Sequence, residues 1–261
     1  MDIKVLHIKI SQPTAHYRMP FTYRRRHTYP IPPYSTVLGM IINLLGIDNQ
    51  NNIFFEKLNN CKLSVSGRFD IKHTEYIWFR NLSKKSHRKY FGYETIRKKN
   101  GETEHIGGQS PMRIDVLENM KVNIYLYSED KVFLETLHQA FLNPVNRSGI
   151  IHLGRAEDWV VFEDIRYVEL KQKVLDKNYD NFFWIPQKTW GVNPNGNKID
   201  GLLYNMPVFS TIKDYDKTFD RNGMRTFNYL RVKLNDGAIR ETNYLFDGKL
   251  PVFLADLSQA K

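Results

Sequence analysis

Apolar positions recur along the chain at two spacings, and the switches between them divide it into elements. From Lys4 to Ile10, the apolar Val5, Ile8 and Ile10 alternate with Lys4, His7 and Lys9, the pattern of a first strand. Val37, Ile41, Leu44 and Leu45 then fall at helical spacing. The segment from about Thr36 to Leu45 reads as a helix, with Ser35 as N-cap and Gly46 as its stop. A short helical piece covers Ile53 to Leu58. Leu63, Val65, Gly67, Phe69 and Ile71 return to a period of two, and Tyr76 to Phe79 is a further strand candidate. Met120 to Tyr127 alternates through Val122, Ile124 and Leu126. Asp130 to Phe141 has helical spacing through Val132, Phe133, Leu137, Ala140 and Phe141, and Val160 to Leu170 is the next strand region.

The order strand, helix, strand, strand, helix, strand predicts an α+β fold. It is the pattern of a ferredoxin-like domain, the architecture of RNA-recognition motifs, and it extends over residues 1–171. Between its second and third strands lies a polar, basic insertion, Asn81 to Pro111, with Gly92, Gly101 and Gly107-Gly108. It reads as a projecting β-hairpin or a mobile loop. Beyond Lys171 the runs Phe182 to Ile185, Met206 to Ile212, Tyr229 to Leu234 and Asn243 to Phe246 are separated by turns such as Asn195-Gly196 and Asp236-Gly237. They suggest a smaller β-rich C-terminal part over residues 172–261.

Charge narrows the partner. The chain of 261 residues carries 38 Lys and Arg against 28 Asp and Glu, a net charge of +10. That surplus calls for a polyanion, either nucleic acid or an anionic membrane surface. Cys61 is the sole cysteine, which rules out an intrachain disulfide and a thiolate zinc site and fits a reducing cytoplasm. No close histidine pair has i, i+4 spacing, and no metal or cofactor is expected. The N-terminus lacks the apolar stretch of a signal peptide. The most apolar segment, Val37 to Ile47, is too short to span a bilayer and is interrupted by Gly39 and Asn43. The expectation is a soluble cytoplasmic protein with no membrane partner.

Three segments carry candidate chemistry. In the run Tyr17-Arg18-Met19-Pro20-Phe21-Thr22-Tyr23-Arg24-Arg25-Arg26-His27-Thr28-Tyr29-Pro30, guanidinium groups interleave with tyrosines just before a helix N-terminus. Arginines offer bidentate phosphate contacts, tyrosine rings offer faces for unstacked bases, and free helix N–H groups favour phosphate. The plainer alternative is a solvated basic loop whose tyrosines pack on the core. In the insertion, Arg80, Lys84, Lys85, Arg88, Lys89, Arg97, Lys98 and Lys99 surround Tyr90, Phe91 and Tyr93. This is either a backbone-tracking hairpin or a solubilising loop. In Gly149 to Asp158, two glycines permit close backbone approach and Arg155 follows the second, although such a loop is often only a turn.

Catalysis has weaker support. His73, His87 and His105 lie in or beside the insertion, and Lys72-His73 or Lys85-Ser86-His87-Arg88 would supply parts for metal-independent RNA cleavage. No nucleophile motif or metal-ligand spacing accompanies them. The carboxylate pairs Glu157-Asp158 and Glu163-Asp164 stand beside Arg155 and Arg166, so ion pairing explains them more simply than acid–base chemistry.

Two of these segments also carry a family likeness. Pro20-Phe21-Thr22, followed by Thr28-Tyr29-Pro30-Ile31-Pro32-Pro33-Tyr34-Ser35-Thr36-Val37-Leu38-Gly39, resembles the N-terminal signature of CRISPR-associated protein family five. Leu153-Gly154-Arg155-Ala156-Glu157-Asp158 resembles that family's "LGRSED" stretch, the counterpart of the glycine-rich loop of the RAMP superfamily. The likeness covers the N-terminal two thirds, and the style is most similar to the type I-B branch. It implies a ferredoxin-like domain with an inserted β-hairpin thumb. It also implies a place at one end of a type I Cascade complex, bound to the crRNA 5′ handle and touching the backbone RAMP subunit and the large subunit. Contact with target DNA is left open.

Most members of that family are not enzymes. The type I-C branch cleaves precursor crRNA with a tyrosine, a lysine and a histidine; Lys72-His73 does not stand in a matching place, so no catalytic residue is carried over. The RNA-contacting candidates are therefore Tyr17, Arg18, Tyr23, Arg24, Arg25, Arg26 and His27 in the loop, Lys84, Lys85, Arg88, Lys89 and Tyr90 in the insertion, and Gly154 with Arg155. The alternatives are a metal-independent endoribonuclease acting on precursor crRNA and a general basic RNA-binding module.

Overall fold

A computed structural model describes residues 3–20, 22, 25–80, 97–99, 102–105, 109–190, 200–212 and 225–261. Among these residues the fold is a mostly antiparallel sheet of twelve strands carrying few helices. The first strand, β1 (Ile3–Ala15), is longer than its alternation predicts, because Leu6, Gln12 and Ala15 are buried as well. A two-residue strand, β2 (Arg25–Arg26), lies in the loop that follows. Helix α1 (Tyr34–Leu44) starts earlier than expected, and its N-cap is Pro33, not Ser35. The extended backbone of Pro33 turns its carbonyl onto the N–H groups of Thr36 (3.0 Å) and Val37 (3.3 Å), so no side-chain cap is required. Gly46 does end the helix, at φ 65°, where a Cβ would collide with the Asn146 carbonyl.

After α2 (Ile53–Asn59) comes a strand that sequence alternation runs together with the next one. The structure breaks it into β3 (Lys62–Arg68) and β4 (Ile71–Arg80). Two short strands, β5 (Arg97–Lys99) and β6 (Glu102–His105), pair with each other. The long β7 (Gln109–Tyr127) explains the break. Its outer part pairs with β4, from Arg80 opposite Gln109 to Ile71 opposite Glu118, and its inner part pairs with β3. Between the two, Asn119 adopts φ 51°, a left-handed conformation that asparagine tolerates. The expected insertion is thus the far end of a hairpin whose stem begins at Ile71, and most of Asn81 to Pro111 lies outside the described residues.

Helix α3 (Lys131–Leu142) is capped by Asp130, whose carboxylate accepts from the Phe133 N–H at 2.9 Å. Then β8 (Val161–Asn178) pairs with β1, so the order through the middle of the sheet is β8, β1, β7, β3. The apolar faces of α1 (Val37, Leu38, Ile41, Leu44) and α3 (Phe133, Leu134, Leu137, Phe141) share one core cluster with Ile8, Ile10, Val65, Val122 and Ile124.

The C-terminal strands extend the same sheet at both ends. On the β3 side stand β9 (Phe182–Pro186), β11 (Arg225–Asn235) and β10 (Leu202–Ile212); on the β8 side, β12 (Ala238–Phe246) and β13 (Pro251–Val252). The last strand, β14 (Ala255–Asp256), returns to β3. A division between residues 171 and 172 therefore falls inside β8. No described helix is long and apolar enough to cross a membrane.

Candidate nucleic-acid interface

The basic-aromatic loop is tied together at its base. Tyr29 N–H donates to the Tyr17 carbonyl (2.8 Å), Met19 N–H to the His27 carbonyl (2.9 Å), and Tyr17 N–H to Thr28 Oγ1 (2.8 Å). These bonds close the loop into a hairpin-like excursion. Within it, β2 lies parallel to β7, with Arg25 beside Arg113 and Arg26 beside Ile114.

Tyr17 is a correction to the sequence reading. It is 0% exposed, and its hydroxyl donates to Gln12 Oε1 at 2.6 Å, so its ring has no face for a base. Tyr29 is also buried, edge-on to Trp184 and Tyr204, each at 5.6 Å. The plainer reading, that tyrosines of this loop pack on the core, holds for both. The helix N-terminus is no phosphate site either. Ile31 to Tyr34 are buried, and the Tyr34 N–H points at Met206 Sδ, 3.4 Å away.

Two covered carboxylates organise the basic groups that remain. Asp115, on β7, is fully enclosed. It accepts from His27 Nδ1 (2.8 Å) and Thr74 Oγ1 (3.0 Å), with Lys72 Nζ at 3.5 Å and Arg25 Nη2 at 3.9 Å. Burial alone would push this carboxyl up, but the bonds from His27 and Thr74 and the charge of Lys72 outweigh it and hold it below the usual range. His16 Nδ1 donates to the Asp115 carbonyl at 2.7 Å, and burial lowers the pKa of His16, which favours the neutral ring.

The second carboxylate is Asp158, also fully enclosed. Its Oδ2 accepts from the backbone N–H of His16 and of Arg155, both at 2.9 Å, and its Oδ1 from Arg155 Nη2 at 2.8 Å. The bond from the His16 N–H pins the glycine loop to the end of β1. Gln12 Nε2 adds bonds to the carbonyls of Leu153 (2.9 Å) and Asp158 (3.0 Å). Gly154 has φ 114°, and a Cβ there would lie 2.8 Å from the His16 carbonyl oxygen.

Arg155 is itself committed, to Asp158, to Glu157 (3.4 Å) and to Glu75 on β4 (3.6 Å). Burial disfavours its guanidinium, and the bonds and charge of Asp158 more than restore it. Its place is that of a brace between the glycine loop and the β4–β7 stem. The same logic explains the other carboxylates flagged by the sequence: Asp164 pairs with Arg166 at 3.1 Å, whereas Glu163 takes Lys9 and Lys121, each at 2.7 Å.

The structure therefore groups Arg25 and His27 on Asp115, and Gly154 and Arg155 around Asp158, with His16 bonded to both aspartates and Arg18 exposed at the loop's base. Arg26 follows Arg25 in β2. Tyr23, Arg24, Lys84, Lys85, Arg88, Lys89 and Tyr90 lie outside the described residues. Sequence reasoning missed Asp115, Thr74, Lys72 as a partner of this cluster, and Arg113. Their signal was available as alternation, since Lys72 and Thr74 share a strand face and Arg113 and Asp115 share the facing one. Among the described residues, no group of three His, Cys, Asp or Glu side chains is placed to hold a metal ion.

Comparison with known proteins places this architecture. The family model described as CRISPR-associated protein (Cas_Cas5) matches residues 5–240. A chain of a solved "CRISPR RNA-guided surveillance complex" is similar at 11% identity over 90% of this chain and 90% of that one, with a TM-score of 0.55; identity that low shows the fold alone. A CRISPR protein from Archaeoglobus fulgidus is 12% identical over 97% of this chain and 99% of its own, with a TM-score of 0.43. No curated protein matches the chain. Because the family model spans nearly the whole of the folded sheet, from β1 into β12, this chain belongs to the CRISPR-associated Cas5 family.

Proposed function

We propose that this chain is a non-catalytic, RNA-binding subunit of a type I Cascade complex that grips the 5′ handle of crRNA and caps the backbone filament. The observation that carries it is the cluster of Arg25, His27 and Lys72 held around the enclosed Asp115, next to a glycine loop braced by Arg155. One buried carboxylate fixes the cationic Arg25 and Lys72 and the His27 imidazole while cancelling a single charge, which presents organised positive charge to a phosphate backbone. The strand order β8, β1, β7, β3, with α1 after β1 and α3 after β7, supports the ferredoxin-like reading. The β4–β7 stem supports the thumb, which would press on the guide near the handle–spacer junction. The backbone and large subunits are the protein partners this reading names, and the type I-B branch is the subtype it favours.

The test replaces Arg24, Arg25 and Arg26 with alanine and measures crRNA binding against salt. Weaker binding with a flatter salt slope is expected; an unchanged affinity and slope would remove the loop as the grip.

A second reading has one observation in its favour. His27, oriented by Asp115 at 2.8 Å with Lys72 Nζ 3.5 Å from the same carboxylate, contains the parts of a metal-independent ribonuclease. Cleavage of repeat RNA in EDTA, lost in His27→Ala, would establish it in place of the first.

A further inference from the structure

The β4–β7 stem is patterned against ordinary burial. On β4, His73, Glu75 and Ile77 alternate onto the less exposed side, opposite the buried Val116, Ile114 and Met112. A stem built only for stability would place its largest apolar residues there. Instead Tyr76 and Trp78 occupy the open side, 61% and 60% exposed, with ring centroids 6.2 Å apart and planes at 86°. Two adjacent large aromatics held in solvent on one strand face mark an interaction surface more than a packing detail.

The surroundings of the pair choose the partner. Arg113, exposed, is directly opposite Tyr76, and Arg25 of β2 lies in register with Arg113. Lys72 is on the same face toward the base of the stem. The carboxylate on that face, Asp115, is enclosed and already bonded to His27 and Thr74. Flat rings beside exposed guanidinium groups, with the acid withdrawn from the surface, match single-stranded nucleic acid: bases stack on the rings and phosphates meet the cations.

We propose that Tyr76 and Trp78 form a stacking platform for unstacked bases of single-stranded RNA, with Arg113 holding the adjoining phosphate. This rests on the RNA-binding reading above and adds a base-contacting site to it. Stacking is tolerant of sequence, because every base has a π-face, so the platform would hold RNA without reading it.

The experiment titrates the full chain with single-stranded RNA of the repeat sequence and follows both tryptophan fluorescence and affinity. The wild type should be quenched on binding, and Trp78→Phe should keep its affinity but lose that part of the quenching. The double variant Tyr76→Ala, Trp78→Ala should lose roughly ten-fold or more in affinity with an unchanged salt slope, whereas Arg113→Ala should flatten the slope. Both altered rings are exposed, so an unchanged melting temperature is expected and checks the fold. If the double variant binds RNA as the wild type does while the Arg24, Arg25 and Arg26 variant does not, the platform is wrong and the RNA-binding reading stands. If the wild type itself binds no RNA, that reading fails with it. Normal RNA binding by the double variant, joined to failed assembly with other subunits, would make the patch a protein interface and overturn the proposal.

Discussion

Asp158 shows how much one side chain can decide. It is fully enclosed, serves two backbone N–H groups and pairs with Arg155, so Asp158→Ala leaves two amides without their acceptor and takes from Arg155 its shortest ion pair, with only Glu157 and Glu75 remaining. Breaking a buried pair from one side costs about 3 kcal/mol or more; urea denaturation should show a loss of that size. Gly154→Ala should also destabilise, since both its φ of 114° and the approach to His16 exclude a Cβ. Glu163 is a test by pH. Its bonds from Lys121 and Lys9 lower its pKa from 4.5 to about 2, so the folded state favours the ionised form. That stabilisation is complete above pH 4.5 and disappears as pH falls toward 2. The stability gap between wild type and Glu163→Gln should therefore be constant near neutrality and close on acidification. Cys61, buried and pushed up to about 12, should resist alkylation until the protein unfolds.

At the scale of elements, the two long helices end on different devices at their N-termini. Helix α3 uses the carboxylate of Asp130, which also meets Lys57 at 2.7 Å, whereas α1 relies on the carbonyl of Pro33. Asp130→Ala should lower the melting temperature by a few degrees. Ser35→Ala, within the first turn of α1 and without a cap bond, should be nearly neutral, within about 0.5 kcal/mol. A thermal melt of both variants checks the contrast. The β4–β7 stem is the element with the largest reach for function, because it carries Lys72, Thr74, Asp115 and Arg113 on one face. Its register is set by the switch at Asn119, where β7 leaves β4 and takes up β3.

At the scale of the molecule, the C-terminal strands complete the first core. Trp184, Met206, Val208, Val232, Leu234 and Leu257 belong to the same buried cluster as Val37, Leu38 and Ile41 of α1, and Trp184 Nε1 donates to the Pro32 carbonyl at 3.0 Å. The terminal Lys261 exchanges backbone hydrogen bonds with Tyr229. A fragment ending at Asn178 would open this cluster to solvent, so it should lack a cooperative thermal transition. A sharp melt for that fragment would show an independent N-terminal unit.

Local periodicity by itself determined the core-facing positions of α1, of the inner part of β7 and, except for the exposed Val132, of α3, because alternation and helical spacing record which face is buried wherever one face meets the core; β1 is covered on both faces, so Leu6 and His7 are buried beside Val5, Ile8 and Ile10. The composition showed the positive surplus, and the arginine run and the glycine loop marked segments that do come together. What only tertiary structure decided was which of these groups face solvent. Tyr17 and Tyr29 sit in a basic loop, yet both are drawn inward, to Gln12 and to Trp184 with Tyr204, by partners from β1, β9 and β10. Arg155 reads as a ligand-seeking guanidinium until Asp158 and Glu75 are found around it. Alternation puts Asp115 on one strand face with Arg113, but its role comes from Arg25, His27, Lys72 and Thr74, which reach it from β2, the segment beside it and β4. Burial and ion pairing are properties of contacts between distant segments, and the spacing of residues along one segment carries no record of them.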